Sequence, residues 1–403
     1  MNYLKIVFIS FCMANLLGCA KQQPTDKPEA KMQWYKGNLH THSYWSDGDE
    51  FPEVIMDWYK SNGYHFVALS DHNILAEGEK WISIREDSLY QNAFQNYLEQ
   101  YGRNWVSHRI DTGTTMVKLK TYKEYKDLFE EENEFLIIQS EEITDQFDDH
   151  PLHMNATNIQ SLIEPQGGNN VAEVLQNNID AVLSQREATG VPIIPHINHP
   201  NFGYAITVDD MISLDGERFF EVYNGHHMVH NTGDSIHIST ENMWDLINIS
   251  YLNNDKPLMY GLATDDSHNY HVMGSEWSNA GRGWIMVQAD TLSAEALIAS
   301  MEAGRFYATT GVRLSNLDFD NNKLSIEVAA DPGINHTISF IGYKKGGMEA
   351  EEFKSMEGNT ASFELTEEVL FVRARITSSR LHSNPIENLV HEMAWTQPVV
   401  NDL

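Results

Sequence analysis

Two imidazoles two residues apart open the chemistry of this chain: His40-Thr41-His42, followed by Ser43-Tyr44-Trp45-Ser46 and then Asp47-Gly48. If Trp34–His42 is extended, His40 and His42 face the same way, because side chains alternate with period two along a strand. Two neutral imidazoles on one face chelate a borderline cation such as Zn²⁺, Mn²⁺ or Fe²⁺. A lone His-x-His on an edge strand is more often plain surface. The chelate reading gains force only if further ligands occur at comparable places.

They do. Short apolar runs end repeatedly in His, Asp or Glu. Phe66-Val67-Ala68-Leu69 leads into Ser70-Asp71-His72, and Phe135–Ile138 into Gln139-Ser140-Glu141-Glu142. His153 closes a short segment, Val191–Ile194 leads into Pro195-His196-Ile197-Asn198-His199-Pro200, and Leu258–Ala263 into Thr264-Asp265-Asp266-Ser267-His268. Between these runs lie helix-like stretches: Glu53–Asn62, Tyr90–Tyr101, Tyr122–Phe129, Val171–Thr189 and Ser293–Ala303. Alternating strands and helices predict parallel strands with crossover helices. In a closed βα barrel the carboxyl ends of the strands share one face, so residues far apart in sequence converge there.

This ordered set (His-x-His…Asp-Gly, Ser-Asp-His, a Glu after an apolar strand, an isolated His, His-Pro, Asp-x-His) resembles the PHP (polymerase and histidinol phosphatase) superfamily over roughly Trp34 to Gly311. The flavour is similar to a secreted or lipoprotein group of metal-dependent phosphoesterases that includes carbaryl hydrolase-like members. Gly304–Gly311 and Ala394-Trp395-Thr396-Gln397-Pro398 look typical of that group. The resemblance implies an α/β fold, a distorted (β/α)7 barrel at 34–312, with two or three divalent transition metals (Zn, Mn or Fe) at its carboxyl ends. Carried over by residue, it implies that His40, His42, Asp266 and a bridging Glu142 hold one metal. Glu142, His153 and His199 hold a second, and Asp47, His72 and His268 form a third position.

Adjacent pairs leave choices. One strand aims only one of Glu141 and Glu142 inward, and the family pattern, with an apolar residue after the ligand, favours Glu142 before Ile143. The Asp-x-His spacing favours Asp266 over Asp265. His196 and Asp71 read as pocket or ligand-orienting residues, and either is a candidate proton donor to a leaving group. Arg282 and Arg305 are the candidate anion-binding cations, against an even alternative of ordinary surface pairing. Tyr44 and Trp45 wall the pocket or pack on a neighbouring loop. His226, His227 and His230 sit on the substrate side of the rim. A metal-bridging hydroxide attacking a small phosphate ester is the implied chemistry. A carbamate, ester or amide hydrolase on the same centre is the rival reading, and a non-catalytic metal-dependent binding lipoprotein is a third.

Composition bounds the partners. The 403 residues carry 58 acidic against 27 basic side chains, a formal charge of −31. Such a field repels polyanions, so a nucleic acid is not the expected main partner; a small anionic substrate is. Residues 1–18 read as a lipoprotein signal peptide: the apolar run Ile6–Leu17 is short for a membrane span, and Leu16-Leu17-Gly18-Cys19 resembles a lipobox with Cys19 as the lipidated residue. Residues 19–33 read as a tether, which places the protein at a bacterial cell envelope, held by a lipid anchor alone. From 313 to 403 the ligand-like endings vanish. Short alternating strands with Asp-Pro-Gly, Lys-Gly-Gly and Glu-Gly-Asn turns predict a small antiparallel, β-sandwich-like domain.

Overall fold

The computed structural model describes residues 32–401. The expected signal peptide, Cys19 and most of the tether lie outside the described residues. Residues 32–401 belong to one compact unit, and no helix among them is long and apolar enough to cross a membrane.

The chain opens with β1 (Gln33–Asn38), α1 (Pro52–Ser61) and β2 (Phe66–Leu69). An insertion follows. It contains a three-stranded antiparallel sheet of β3 (Trp81–Ser83), β4 (His108–Asp111) and β5 (Thr114–Lys118), with helices α2 (Ser88–Tyr101) and α3 (Tyr122–Phe129). Thr121 and Glu124 form a capping box that starts α3, satisfying amides that have no partner within the helix. Next come β6 (Leu136–Phe147), β7 (His150–Thr157), α4 (Val171–Thr189), β8 (Ile194–Ile197), α5 (Val208–Ser213), β9 (Phe219–Asn224), α6 (Thr240–Asn253) and β10 (Tyr260–Thr264). Then β11 (Trp284–Ala289), α7 (Ala294–Glu302) and β12 (Phe306–Thr309) lead into eight further strands: β13 (Leu314–Asp320), β14 (Lys323–Val328), β15 (His336–Lys344), β16 (Glu351–Glu357), β17 (Thr360–Glu364), β18 (Val369–Leu381), β19 (His391–Thr396) and β20 (Val399–Val400).

The large sheet runs β10-β9-β8-β7-β6-β2-β1-β11-β12-β19-β18-β15-β16, with β20 also on β18. Its ladder is open. The expected closed (β/α)7 barrel is not formed by strand pairing, and the strands are not all parallel. β1–β2, β2–β6, β8–β9 and β9–β10 are parallel, whereas β7 is antiparallel to both β6 and β8. The reason is local. β6 overshoots to Phe147 and turns straight back into β7, and so short a connection permits only an antiparallel return.

The seven strands from β10 to β1 nevertheless curl around one interior. Leu39, Phe66, Ala68, Ile138, Ile194, Phe219 and Leu262 come from six of these strands or their ends and pack in one buried cluster. The two edges are stitched just past their strand ends: Asp266 N–H donates to the His40 carbonyl at 2.9 Å and His42 N–H to the Ser267 carbonyl at 2.9 Å. The last strands are antiparallel, as their alternation predicts. β19, β18, β15 and β16 continue the large sheet through β12, while β13, β14 and β17 form a separate three-stranded sheet. Leu324, Ile326, Ile338, Phe340, Val372 and Ile376 fill the apolar layer between them.

Candidate metal centre

The stitched edge brings His40 and His42 face to face with Glu142 and Asp266. His40 Nε2 and His42 Nε2 are 3.1 Å apart. His40 Nε2 lies 3.2 Å from Glu142 Oε2 and 3.3 Å from Asp266 Oδ1; His42 Nε2 lies 3.1 and 3.3 Å from the same two oxygens. Ligand atoms about 2.0–2.1 Å from a cation at the centre of a tetrahedron stand about 3.3–3.4 Å apart. The five nitrogen–nitrogen and nitrogen–oxygen separations among the four atoms, 3.1–3.3 Å, are close to that spacing, and His40, His42 and Glu142 form a compact group able to hold a small divalent ion. Both oxygens are buried without a hydrogen-bond donor, a costly state for a carboxylate unless a cation answers it. The residues present fit the metal that the sequence implies.

Around this cage the other expected ligands gather. His153 Nδ1 is 2.9 Å and His199 Nε2 3.5 Å from Glu142 Oε1, so Glu142 turns one oxygen to each group. Asp47 Oδ1 lies 3.5 Å from His72 Nε2, 3.4 Å from His268 Nε2 and 3.8 Å from His42 Nδ1. His42 thus faces the first cage with one ring nitrogen and the Asp47 group with the other. His72 Nδ1, 3.1 Å from Glu142 Oε2, links the groups again. All nine expected ligand residues converge, and seven of them line a cavity of about 150 Å³ together with Phe202 and His226.

The electrostatics follow. Burial opposes charging His40, yet Asp266, Glu142 and Glu221 outweigh it and hold its pKa well above the ordinary value. Burial likewise resists ionising Glu142, but the imidazoles of His72, His40 and His153 keep its pKa well below the carboxylate range. The site is a sink for positive charge. Burial has the upper hand at His226, whose pKa falls to about 3.

Backbone strain helps to build the centre. His199 has φ +25° and Asp266 φ +47°, a region that side-chain-bearing residues rarely adopt. The left-handed turn at Asp266 also resolves the choice between neighbours. Asp265 instead accepts from Tyr59 Oη at 2.8 Å and from the amides of Arg282 and Gly283 at 2.7 and 2.9 Å. Glu141 faces the opposite side of its strand from Glu142 and accepts from Ile163 N–H. Gly48 is required beside Asp47: a Cβ there would stand 2.6 Å from the His42 carbonyl.

None of the four expected catalytic or anion-binding residues lines the cavity. Arg282 is fully buried, and its guanidinium donates to the carbonyls of Gly225, Trp277, Gly274 and Asn384. It knots the turn at Gly225, the loop at 274–277 and the loop at Asn384 together and is not available to an anion. Arg305 is exposed and flanks Gln288, opposite Trp34 at the start of β1, so it sits at the far end of the sheet from the centre. Asp71 accepts from Ser43 N–H, Ser43 Oγ and Ser46 Oγ at 2.8, 2.7 and 2.6 Å. It clamps the turn between His42 and Asp47 and reaches a ligand histidine only through Ser46 Oγ, 3.4 Å from His42 Nδ1. His196 is buried behind His40, with Nε2 3.6 Å from Glu221 Oε1, and does not line the cavity. Trp45 packs under the insertion, donating to the Lys120 carbonyl.

Other supports are absent from the motif pattern. Glu221 Oε1 accepts from His40 Nδ1 at 2.7 Å, which fixes the tautomer that leaves Nε2 free to ligate. Asn198 donates to Glu142 Oε1 at 2.8 Å, and Asn224 to both Glu221 and Asp266 at 2.7 and 3.0 Å. A Glu inside the apolar run Phe219–Tyr223, and an Asn between two histidines, are the signals that point to them.

No family model matches the sequence, and no curated protein matches it significantly. Solved structures are similar in shape at 12% identity. One is a two-domain protein from Bacteroides vulgatus containing a predicted PHP-like metal-dependent phosphoesterase, with a TM-score of 0.39 covering 95% of this chain and 100% of that one. Another is an amidohydrolase from Chromobacterium violaceum with bound sulfate and no metal, with a TM-score of 0.32 covering 67% of this chain and 96% of that one.

Proposed function

We propose that this chain is a metal-dependent hydrolase of the PHP type, and that its substrate is a small phosphate ester. One observation carries the reading. Two imidazole nitrogens and two carboxylate oxygens, all buried, stand within 3.1–3.3 Å of one another across every nitrogen–nitrogen and nitrogen–oxygen pair, the oxygens with no donor, beside an open cavity lined by further His and Asp. A structural metal site is closed by its ligands, whereas a catalytic one keeps an open side. His40, His42, Glu142 and Asp266 hold the first ion, Glu142 with His153 and His199 the second, and Asp47, His72 and His268 a third. Bound there, divalent ions such as Zn²⁺, Mn²⁺ or Fe²⁺ supply Lewis acidity to phosphoryl oxygens and acidify a water.

The chain's own residues position. Glu221 holds the His40 tautomer, Asn198 and Asn224 hold the two carboxylates, and Asp71 holds the turn that delivers Asp47. Arg282 maintains the loops of the rim. Among the described residues no lysine or arginine lines the cavity. That absence favours the second reading, a carbamate, ester or amide hydrolase on the same centre, which has no anionic head to neutralise. Phosphate release from a panel of phosphomonoesters, run beside carboxyl ester and carbamate panels on metal-loaded protein, separates the two. Turnover of the neutral panels alone selects the second. Cys19 as a lipid anchor at the cell envelope completes the reading, and globomycin-sensitive processing of the precursor is its test.

A further inference from the structure

Among the cavity-lining residues, setting aside the proposed ligands leaves two: Phe202 and His226. His226 is the remaining polar one. Its ring is held on several sides. Nδ1 accepts the Met228 amide hydrogen at 3.2 Å, while the His226 backbone N–H donates to Asn224 Oδ1 at 2.7 Å and the backbone carbonyl accepts from Val229 N–H at 3.1 Å. Phe202 meets the imidazole edge-on at 5.8 Å and His268 at 5.3 Å. The preceding Gly225 admits no side chain, since a Cβ would stand 2.7 Å from the Asp265 carbonyl, and Arg282 grips its carbonyl at 2.8 Å. This turn is built to hold one imidazole in one orientation.

We propose that His226 is the substrate-side hydrogen-bond donor of the cavity, presenting Nε2–H to an oxygen of the ester's anionic head. A ring nitrogen that accepts an amide hydrogen carries no proton, so the proton is on Nε2. Nε2 has no protein partner among the described residues and lies on the ring edge away from the 226–229 turn. The same tautomer excludes two other roles. A metal ligand needs a lone pair on Nε2, and here that nitrogen is protonated. A proton donor to the leaving group would be left as imidazolate, which neutral imidazole reaches only in strong base. His226 therefore donates without transferring, stabilising charge that the cavity has no lysine or arginine to meet.

This inference rests on the phosphoester reading, and inorganic phosphate, the expected product, is the probe. Calorimetry on metal-loaded wild type, His226→Phe and His226→Gln, with metal content measured on each, is the test. The expected result is wild-type metal content in both variants. Phosphate should bind about ten- to a hundred-fold more weakly to His226→Phe, the worth of one hydrogen bond to a charged group. The Gln amide, which still donates, should recover part of the loss. Unchanged phosphate affinity in His226→Phe overturns the proposal, as does loss of a metal equivalent, which would make His226 a ligand. If His226→Phe does not fold, ¹⁵N chemical shifts of the wild-type ring decide: protonated Nε2 with bare Nδ1 supports the proposal and the reverse overturns it. Metal-loaded wild type that binds no phosphate would instead sink the phosphoester reading itself, and the proposal with it.

Discussion

Two buried clusters of carboxylates in this molecule meet burial in opposite ways. Where α6 packs on the C-terminal strands, Arg373 forks onto Asp245 at 2.7 and 2.8 Å, Arg375 pairs with Glu241 at 2.8 Å, and the Arg373 guanidinium lies 4.9 Å from the centre of the Trp244 ring. Two acids face two arginines, and each of the two carboxylates has a guanidinium partner within the chain. At the strand ends, Glu142, Asp266 and Glu221 meet imidazoles and neutral donors but no arginine or lysine, and two carboxylate oxygens have no donor at all. A permanent structural pair uses arginine, whose charge and bidentate fork are always present. The second cluster has its charges arranged for a cation that the chain does not supply.

The comparison can be broken most directly at Glu142. Glu142→Gln keeps the volume and removes the shared anion. It should abolish binding of the first two metal equivalents and reduce hydrolysis by three orders of magnitude or more, while circular dichroism stays that of wild type; retained metal or an unfolded spectrum would contradict the contrast. Arg373→Ala should do the reverse. It leaves Asp245 buried and unpaired, so unfolding free energy falls by about 3–5 kcal/mol with metal stoichiometry unchanged, as denaturant melts and elemental analysis would read. Glu221→Gln should lie between, retaining the fold but weakening metal affinity about 10–100-fold because His40 loses the partner that sets its tautomer.

A smaller effect is expected from pH. In metal-free protein, burial opposes charging His40, but Asp266, Glu142 and Glu221 raise its pKa above the ordinary 6.5. A group raised on folding contributes stability that is fully present below its unfolded pKa and is lost as pH rises through the folded value. Metal-free melting temperature should therefore decline above about pH 6.5, while the metal-loaded protein, whose His40 is held unprotonated, should not follow it. Parallel curves would remove the claim that the acids of this site seek positive charge. Smallest of all, Arg305→Ala should leave turnover unchanged and stability within about 0.5 kcal/mol, as for other exposed sites.

Much of the centre was legible because each ligand ends or interrupts an apolar run, and runs of that kind are strands with few alternatives. His40, His42, Asp47, His72, Glu142, His153, His199, Asp266 and His268 are all found together. α3 and α4 begin and end at the residues their periodicity predicts. The arginines were misplaced for a physical reason. Composition says that cations are scarce, but only the loop geometry shows that Arg282 spends its donors on four backbone carbonyls. Arg305 precedes a strand that runs antiparallel to β11, so it falls at the opposite end of the sheet. The barrel was over-regularised because β6 reads as a short parallel strand until its continuation into a hairpin is seen. The three-stranded sheet inside the insertion carries no site residue and little period-two contrast, and α6, although Ser239 caps it and Glu241 lies in its first turn, has apolar residues on too many sides for a clear one-faced pattern.

The group of His40, His42, Glu142 and Asp266 and its neighbour at Glu142, His153 and His199 should each hold a divalent ion. Anomalous diffraction from crystals of protein loaded with Mn²⁺ or Zn²⁺, collected on both sides of the metal edge, tests this most directly. At least two peaks should appear, one within ligand distance of all four cage atoms and one beside Glu142 Oε1. Fully loaded crystals with no peak in the cage, or with metal only at surface carboxylates, would contradict the account.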